Sequence, residues 1–498
     1  MRENFQQILE KLNKRSALLI VLFLIIGVNA ALYISSESKP FKEIQSRKAT
    51  SGFSHDKAHR FFYFFYYTGY FPLASLNGNL EYSKEGALKE IQENGDSLIM
   101  EYQHWSRLGE HARIFAYMPN AILKGSAKNP SIKLFNAIVF TLSLLILYWG
   151  FWKVEKPFWG LFLVALINAT PFFLFEVYSR QNIFGLLAST FFIVLGVNLQ
   201  VLLGKTKRLH LLILLSIISG VIIGFFSEIR NEVVIVGVSV LLLYLLSNQY
   251  NVVKRLLLAL ILLVSLLITR HLVRVYFELK FEETKQLVTA HGGHVYCGER
   301  IAGHKFWHPV FCGLGDFDTK YGYEWDDRIA YKFAVPILRE KYGINVNYSG
   351  KYYTDDYYDD AKLYYIKFDE IPEYEQVVKE KVLGNITSDP VWYFTIIIKR
   401  IGRVLTRTIP FRYVGWLLFP LILFLIFKKR WDSLKIILIS LPLSATSIII
   451  FSGSGATFNS VFAYFVLAIV VYELLQFYTL GFNLKSAAFP FEDSLTSE

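Results

Sequence analysis

Long apolar runs joined by short polar connections make up most of this chain, and two extended polar segments interrupt them. Runs of roughly 17–25 residues, the length that crosses a bilayer's hydrocarbon, fall at about 16–35, 134–152, 158–176, 183–203, 210–227, 233–249, 255–272, 413–428, 434–452 and 460–480. The pattern predicts an all-α integral membrane protein with about ten transmembrane helices. The first run, "SALLIVLFLIIGVNAALYISS", has no small-residue cleavage site before "ESKPFKE" and is expected to stay as an anchor. The expected organisation is an N-terminus and first span (1–35), a first polar segment (36–132), spans two to seven (133–272), a second polar segment (273–411), spans eight to ten (412–481) and a tail (482–498).

Within the first polar segment, "SHDKAHRFFYFFYYTGYFPL" leads into a stretch with apolar residues at helical spacing. Ser83, with Gly86 nearby, offers a helix start there. An aromatic-rich amphipathic helix between two spans is expected to lie flat at the headgroup level. The second segment carries a tyrosine and aspartate run, "YSGKYYTDDYYDDAKLYY", and reads as mixed helix and loop. It ends in "PVWYFTIIIKRIGRVLTRTIPFRYVG", where Lys399, Arg400, Arg403, Arg407 and Arg412 among apolar residues predict a helix entering the interface beside anionic lipid.

Charge sets the expected orientation. "MRENFQQILEKLNKR", "KVEKP", "GKTKRLH", "NQYNVVKR" and "KKRWDSLK" all fall on one side if the spans alternate, and the positive-inside rule makes that side cytoplasmic. Both long polar segments are then external, as expected for a multi-pass protein of a bacterial inner membrane whose working face meets the periplasm or exterior. The net charge of +11 is accounted for by these anchors and by basic clusters near the outer surface, so it points to anionic lipid and not to nucleic acid. The two cysteines, Cys297 and Cys312, both lie in the second external segment. A disulfide between them is expected in an oxidising compartment, with two free buried thiols as the alternative.

Candidate chemistry collects on the same side. His55 and His59, and His304 and His308, are each four apart, which puts both rings of a pair on one helical face. Interfacial hydrogen bonding is one reading of them and a divalent metal another. "HDKAH" has Asp where a metalloprotease helix carries Glu, so metal-dependent hydrolysis is disfavoured, and no cofactor is demanded by the motifs. Asp56 stands just beyond the first span, where a carboxylate is costly without a role or a partner such as Lys57 or Arg60. Arg180 and Arg230, in "EVYSRQN" and "SEIRNE", are placed at the membrane rim. Either they pair with neighbouring glutamates or they hold a phosphate, whose oxygens suit a guanidinium fork. "GSGAT" at 453–457 lacks the lysine of a phosphate-binding loop, so no nucleotide is implied.

These features fit one reaction: a sugar on a polyprenyl phosphate presents its phosphate at the outer headgroup plane, basic groups stabilise the departing lipid phosphate, and a carboxylate deprotonates the acceptor hydroxyl. A long external loop after the first span bearing an acid, a compact group of spans, and a second long external loop after the seventh resemble the GT-C superfamily of membrane glycosyltransferases. The resemblance covers the architecture of nearly the whole chain and, residue by residue, only Asp56, since "HDKAH" is not the paired-acid form. It implies a polyprenyl-phosphate-sugar donor, a glycan, lipid or protein acceptor of the cell envelope, inversion at the anomeric carbon, and interface-lying helices in the external loops. A hairpin closed by Cys297 and Cys312 would present His304, Lys305, Trp307 and His308 at its tip. On that reading Lys305 joins Arg180 and Arg230 at the donor phosphate, while His55, His59, Glu101, His104, His304, Trp307, His308, Asp326 and Asp327 are candidates for binding sugar or acceptor. A water-facing cap is the other reading of that hairpin. A lipid-linked glycan flippase, or an O-antigen polymerase or ligase, are the alternatives for the whole chain.

Overall fold

The computed structural model describes residues 14–36, 55–70, 81–93, 111–128, 130–170, 177–178, 186–203, 206, 208–247, 250–290, 306–344, 347–349, 352–359, 362–367, 372–408, 412–449 and 461–471. In chain order the helices are α1 (Lys14–Ser36), α2 (His55–Thr68), α3 (Lys84–Glu93), α4 (Met118–Lys124), α5 (Lys133–Lys153), α6 (Pro157–Asn168), α7 (Leu186–Leu202), α8 (Leu209–Ser227), α9 (Val234–Leu246) and α10 (Val252–Ala290). They continue as α11 (Trp307–Leu314), α12 (Asp327–Tyr342), α13 (Pro372–Ser388), α14 (Pro390–Thr406), α15 (Leu418–Phe427), α16 (Trp431–Ser440), α17 (Ala445–Ile449) and α18 (Val461–Val471). Among the described residues, four helical stretches are long and apolar enough to cross a membrane: Leu18–Ser36, Lys133–Lys153, Leu209–Ser227 and Val252–Thr284. Shorter apolar helices, Pro157–Asn168, Leu186–Leu202, Asn231–Leu246, Val414–Phe427 and Val461–Val471, fall on further runs read from the sequence, each below spanning length among the described residues.

Small residues and buried polar groups pack this bundle, as they must where lipid removes the hydrophobic drive between helices. A Cβ on Gly150 of α5 would collide with the Gly196 carbonyl oxygen of α7, so those two backbones touch. Gly220 and Gly224, four apart on α8, do the same against α10: an added Cβ would meet the Leu262 oxygen at 2.6 Å and the Leu266 oxygen at 2.8 Å. Ser216 of α8 donates to the Leu258 carbonyl at 2.6 Å. Asn198 of α7 donates to Ser219 of α8 at 2.6 Å and accepts from Tyr244 of α9 at 3.0 Å, tying three helices through one amide.

In the first polar segment, Ser83 starts α3 as the sequence leads one to expect, its hydroxyl accepting the Gly86 N–H at 2.9 Å. The aromatic face of α2 departs from expectation. Phe62, Tyr63, Phe64 and Phe65 are buried in the protein core instead of facing lipid: Phe62 and Phe65 pack against a 3₁₀ turn, His111–Tyr117, and Tyr63 packs on Tyr82. Phe65 meets Phe115 edge-on with centroids 5.8 Å apart, and Phe115 reaches Phe225 of α8 and Phe277 of α10.

Two further departures concern the second polar segment. The helix expected to end near 272 runs on to Ala290 as one element of 39 residues. The tyrosine and aspartate run forms a three-stranded antiparallel meander, β1 (Asn347–Ser349), β2 (Tyr352–Asp359) and β3 (Lys362–Lys367), with Tyr348 opposite Tyr353 and Asp356 opposite Tyr365. Paired tyrosines and a threonine suit a pleated strand better than a helix. Helices α11 to α14 gather around a second core that includes Phe311, Tyr323, Ala334, Leu338, Tyr374 and Trp392.

Helix α14 belongs to two cores: Trp392 and Ile396 join that outer unit, and Val404 and Leu405 join the cluster built with α15, α16 and α18. Between them Arg400 is fully buried. Its guanidinium donates to the Gly313 carbonyl of α11 and to the Ile448 and Ile449 carbonyls of α17 at 3.1 and 3.0 Å, and it lies 3.3 Å from the Asp316 carboxylate. The 3₁₀ turn of the first polar segment binds the C-terminal end of α8, and Arg400 of the second binds the end of α17.

Candidate functional site

The close approach of α8 to α10 has a consequence one turn beyond Gly224. Glu228, at the C-terminal end of α8, is buried against α10, and two arginines four apart on that helix converge on it. Arg270 Nε donates to Glu228 Oε1 at 2.7 Å, and Arg274 Nε donates to the same oxygen at 3.2 Å. Arg270 also donates to Asn231 Oδ1 at 3.2 Å. Above them, the Ala112 N–H of the 3₁₀ turn donates to the Glu228 backbone oxygen at 2.8 Å, so the aromatic segment is seated directly on this rim. One carboxylate faces two guanidiniums, and the pair group carries a surplus positive charge at the edge of the bundle. Arg274 keeps 42% of its side-chain surface open to solvent.

Of the residues chosen from the sequence, Arg230 reaches this rim but forms an ion pair with Glu232 two positions on. His55, Asp56 and His59 lie on the first turns of α2, the helix whose later residue Phe65 packs on Phe115. Glu101, His104, Arg180, Cys297, His304 and Lys305 lie outside the described residues. Arg270 and Arg274 were absent from the sequence-based set. Their signal was the spacing of four in "TRHLVR", masked because the apolar run before it was taken to stop at 272.

A second cluster forms in the outer unit. His308 and Cys312 share one face of α11, and Asp327 opens α12. His308 Nε2 lies 3.1 Å from Asp327 Oδ1 and 3.6 Å from Cys312 Sγ, and Sγ lies 3.7 Å from the same carboxylate oxygen. The other ring nitrogen, Nδ1, is hydrogen-bonded to the Tyr374 hydroxyl. Burial, with the Asp327 charge beside it, pushes the Cys312 thiol well above its ordinary value. Two expectations are corrected here. Cys312 is a free thiol and not half of a disulfide, because its sulfur faces inward from the second turn of α11 among His308 and Asp327. His308 is buried and does not sit at an exposed hairpin tip.

No protein-family model matches this chain, and neither a curated protein nor a solved structure is significantly similar to it. The remaining candidates have plain structural placements. The Trp307 and Phe306 N–H groups donate to Glu375 Oε1 at 2.8 and 2.9 Å, fixing the start of α11. Asp326 caps α12 by accepting the Arg328 N–H at 3.0 Å, and the Arg328 guanidinium beside it holds its carboxyl below the usual carboxylate range.

Proposed function

We propose that this chain is a membrane glycosyltransferase of the GT-C type, moving a sugar from a polyprenyl-phosphate donor to a cell-envelope acceptor at the face that carries both polar segments. The observation behind the reading is the Glu228–Arg270–Arg274 rim beneath the aromatic segment. A lipid-borne phosphate arriving along the bundle meets a guanidinium pair already held in place by a buried carboxylate, and such preorganised charge is what stabilises a departing phosphate. In the reaction, Asp56 takes the proton of the acceptor hydroxyl and the oxygen attacks the anomeric carbon from the face opposite the phosphate. The carbon–oxygen bond to phosphate breaks, and polyprenyl phosphate leaves with both electrons of that bond, its charge met by Arg274 and Arg270.

Helix α14 supports a lipid-facing setting for the outer unit. Val391, Phe394 and Ile398 are 74%, 62% and 68% exposed along one side, the apolar stripe of a helix lying in the interface. The ten-span count, the periplasmic or exterior orientation and the bacterial inner membrane belong to the same proposal.

Purified protein supplied with a panel of polyprenyl-phosphate sugars should release free polyprenyl phosphate. Asp56→Asn should reduce that release at least a hundredfold, as loss of a general base does, while insertion and folding stay normal. Arg274→Gln should raise KM for the donor about tenfold or more and leave acceptor KM unchanged. Normal turnover in Asp56→Asn removes the acid from the mechanism, and an unchanged donor KM in Arg274→Gln removes the phosphate site.

A further inference from the structure

His308, Cys312 and Asp327 meet in a way that a catalytic triad does not explain. In a nucleophilic triad the acid holds one ring nitrogen and the thiol the other. Here the carboxylate and the sulfur both crowd Nε2, and Nδ1 is taken by Tyr374. What the three atoms do share is proximity, each within 3.7 Å of the other two.

Zinc bonds of about 2.3 Å to sulfur and about 2.0–2.2 Å to nitrogen and oxygen, at tetrahedral angles, place the ligand atoms about 3.6 Å apart along edges that include sulfur and about 3.4 Å apart along the nitrogen–oxygen edge. The corresponding separations are 3.6 and 3.7 Å for the sulfur edges and 3.1 Å for the nitrogen–oxygen edge. All three ligand atoms lie within 4.8 Å of one another. Tyr374 supplies the outer contact that metal-binding histidines almost always have on their second nitrogen, which fixes the ring with Nε2 turned to the centre. A mixed nitrogen, sulfur and oxygen set selects a borderline-soft ion over magnesium or calcium.

We propose that the outer unit binds one zinc ion through His308 Nε2, the Cys312 thiolate and an Asp327 oxygen, with water in the fourth position. Binding converts the Cys312 thiol to thiolate and releases its proton to solvent. The fourth position opens on the Asp327 side, where that side chain is 67% exposed. The ion joins α11 to α12 and is separate from the Glu228 rim, so it stands or falls independently of sugar transfer.

Full-length protein in detergent, stripped with EDTA and dialysed, tests this. Elemental analysis after zinc loading should find one zinc per chain. Cobalt(II) should bind with a thiolate-to-cobalt charge-transfer absorption that zinc displaces and Cys312→Ser abolishes. Should Cys312→Ser fail to fold, Asp327→Asn, altered at an exposed side chain, should weaken cobalt binding at least tenfold with the thiolate band retained. Absence of that band in the wild-type chain overturns the site, as does an unchanged affinity in Asp327→Asn. A Cys297–Cys312 disulfide found by non-reducing peptide mapping overturns it too.

Discussion

A single carboxylate, Glu228, carries much of the electrostatics at the rim. Without it, Arg270 and Arg274 would lose the carboxylate they share and keep their like charges side by side. Glu228→Gln keeps the size and removes the charge, and breaking a buried pair in this way costs about 3 kcal/mol or more. The expected outcome is a clear fall in Tm in detergent; an unchanged Tm would mean that the arginines are held by something else. Asp326 gives a second test. Its carboxyl is held below the ordinary value by Arg328, so the folded-state pKa is the lower one and the stabilisation is present above the unfolded value of about 3.9. It should vanish as pH falls through the folded pKa. Asp326→Ala should cost about 1 kcal/mol from the lost cap and should flatten the acid limb of a Tm-against-pH curve.

The α8–α10 seam decides where those residues meet. Gly220 and Gly224 hold the two backbones together, and Glu228 follows one turn later on the same face. Gly224→Leu should push α10 away, lose the monodisperse peak in fluorescence-detected size exclusion, and lower the yield of folded protein. The glycine spacing was readable in the sequence, but its partner was not, because nothing in an apolar run says which neighbour it touches. The same limit explains α2. Its aromatics stood out in the sequence as a block, yet only the folded chain reveals that Phe62 and Phe65 pack against a 3₁₀ turn inside the protein. The strands at 347–367 escaped notice for a different reason: tyrosine pairs alternate poorly with aspartate, so no period of two stood out. Likewise the histidine spacing of 304 and 308 drew attention, whereas the partner that matters in space, Cys312, lies four residues the other way.

Across the molecule, Arg400 is the link between the outer unit and the apolar helices, since its donors reach α11 and α17 at once. Arg400→Met should leave each core intact and loosen the joint between them. Limited proteolysis should then cut the connections around α11 to α14 several times faster than in the wild type, with no loss of the α5–α10 bundle; equal cutting rates would show the joint to be made elsewhere. Architecture was the most legible level of all, because apolar runs report burial directly, whereas sidedness and span number depend on loops whose charges act only through a membrane.

Helix α10 sets a dimension that no loop could. From Arg274 to Ala290 it stays helical for about 24 Å beyond the arginine pair at 1.5 Å per residue. Phe277, Phe281 and Leu287 of this extension pack into the same core as the aromatic segment, and Phe277 meets Phe115, so the extension works as a splint: bending it would shift the cover over Glu228 without touching either arginine.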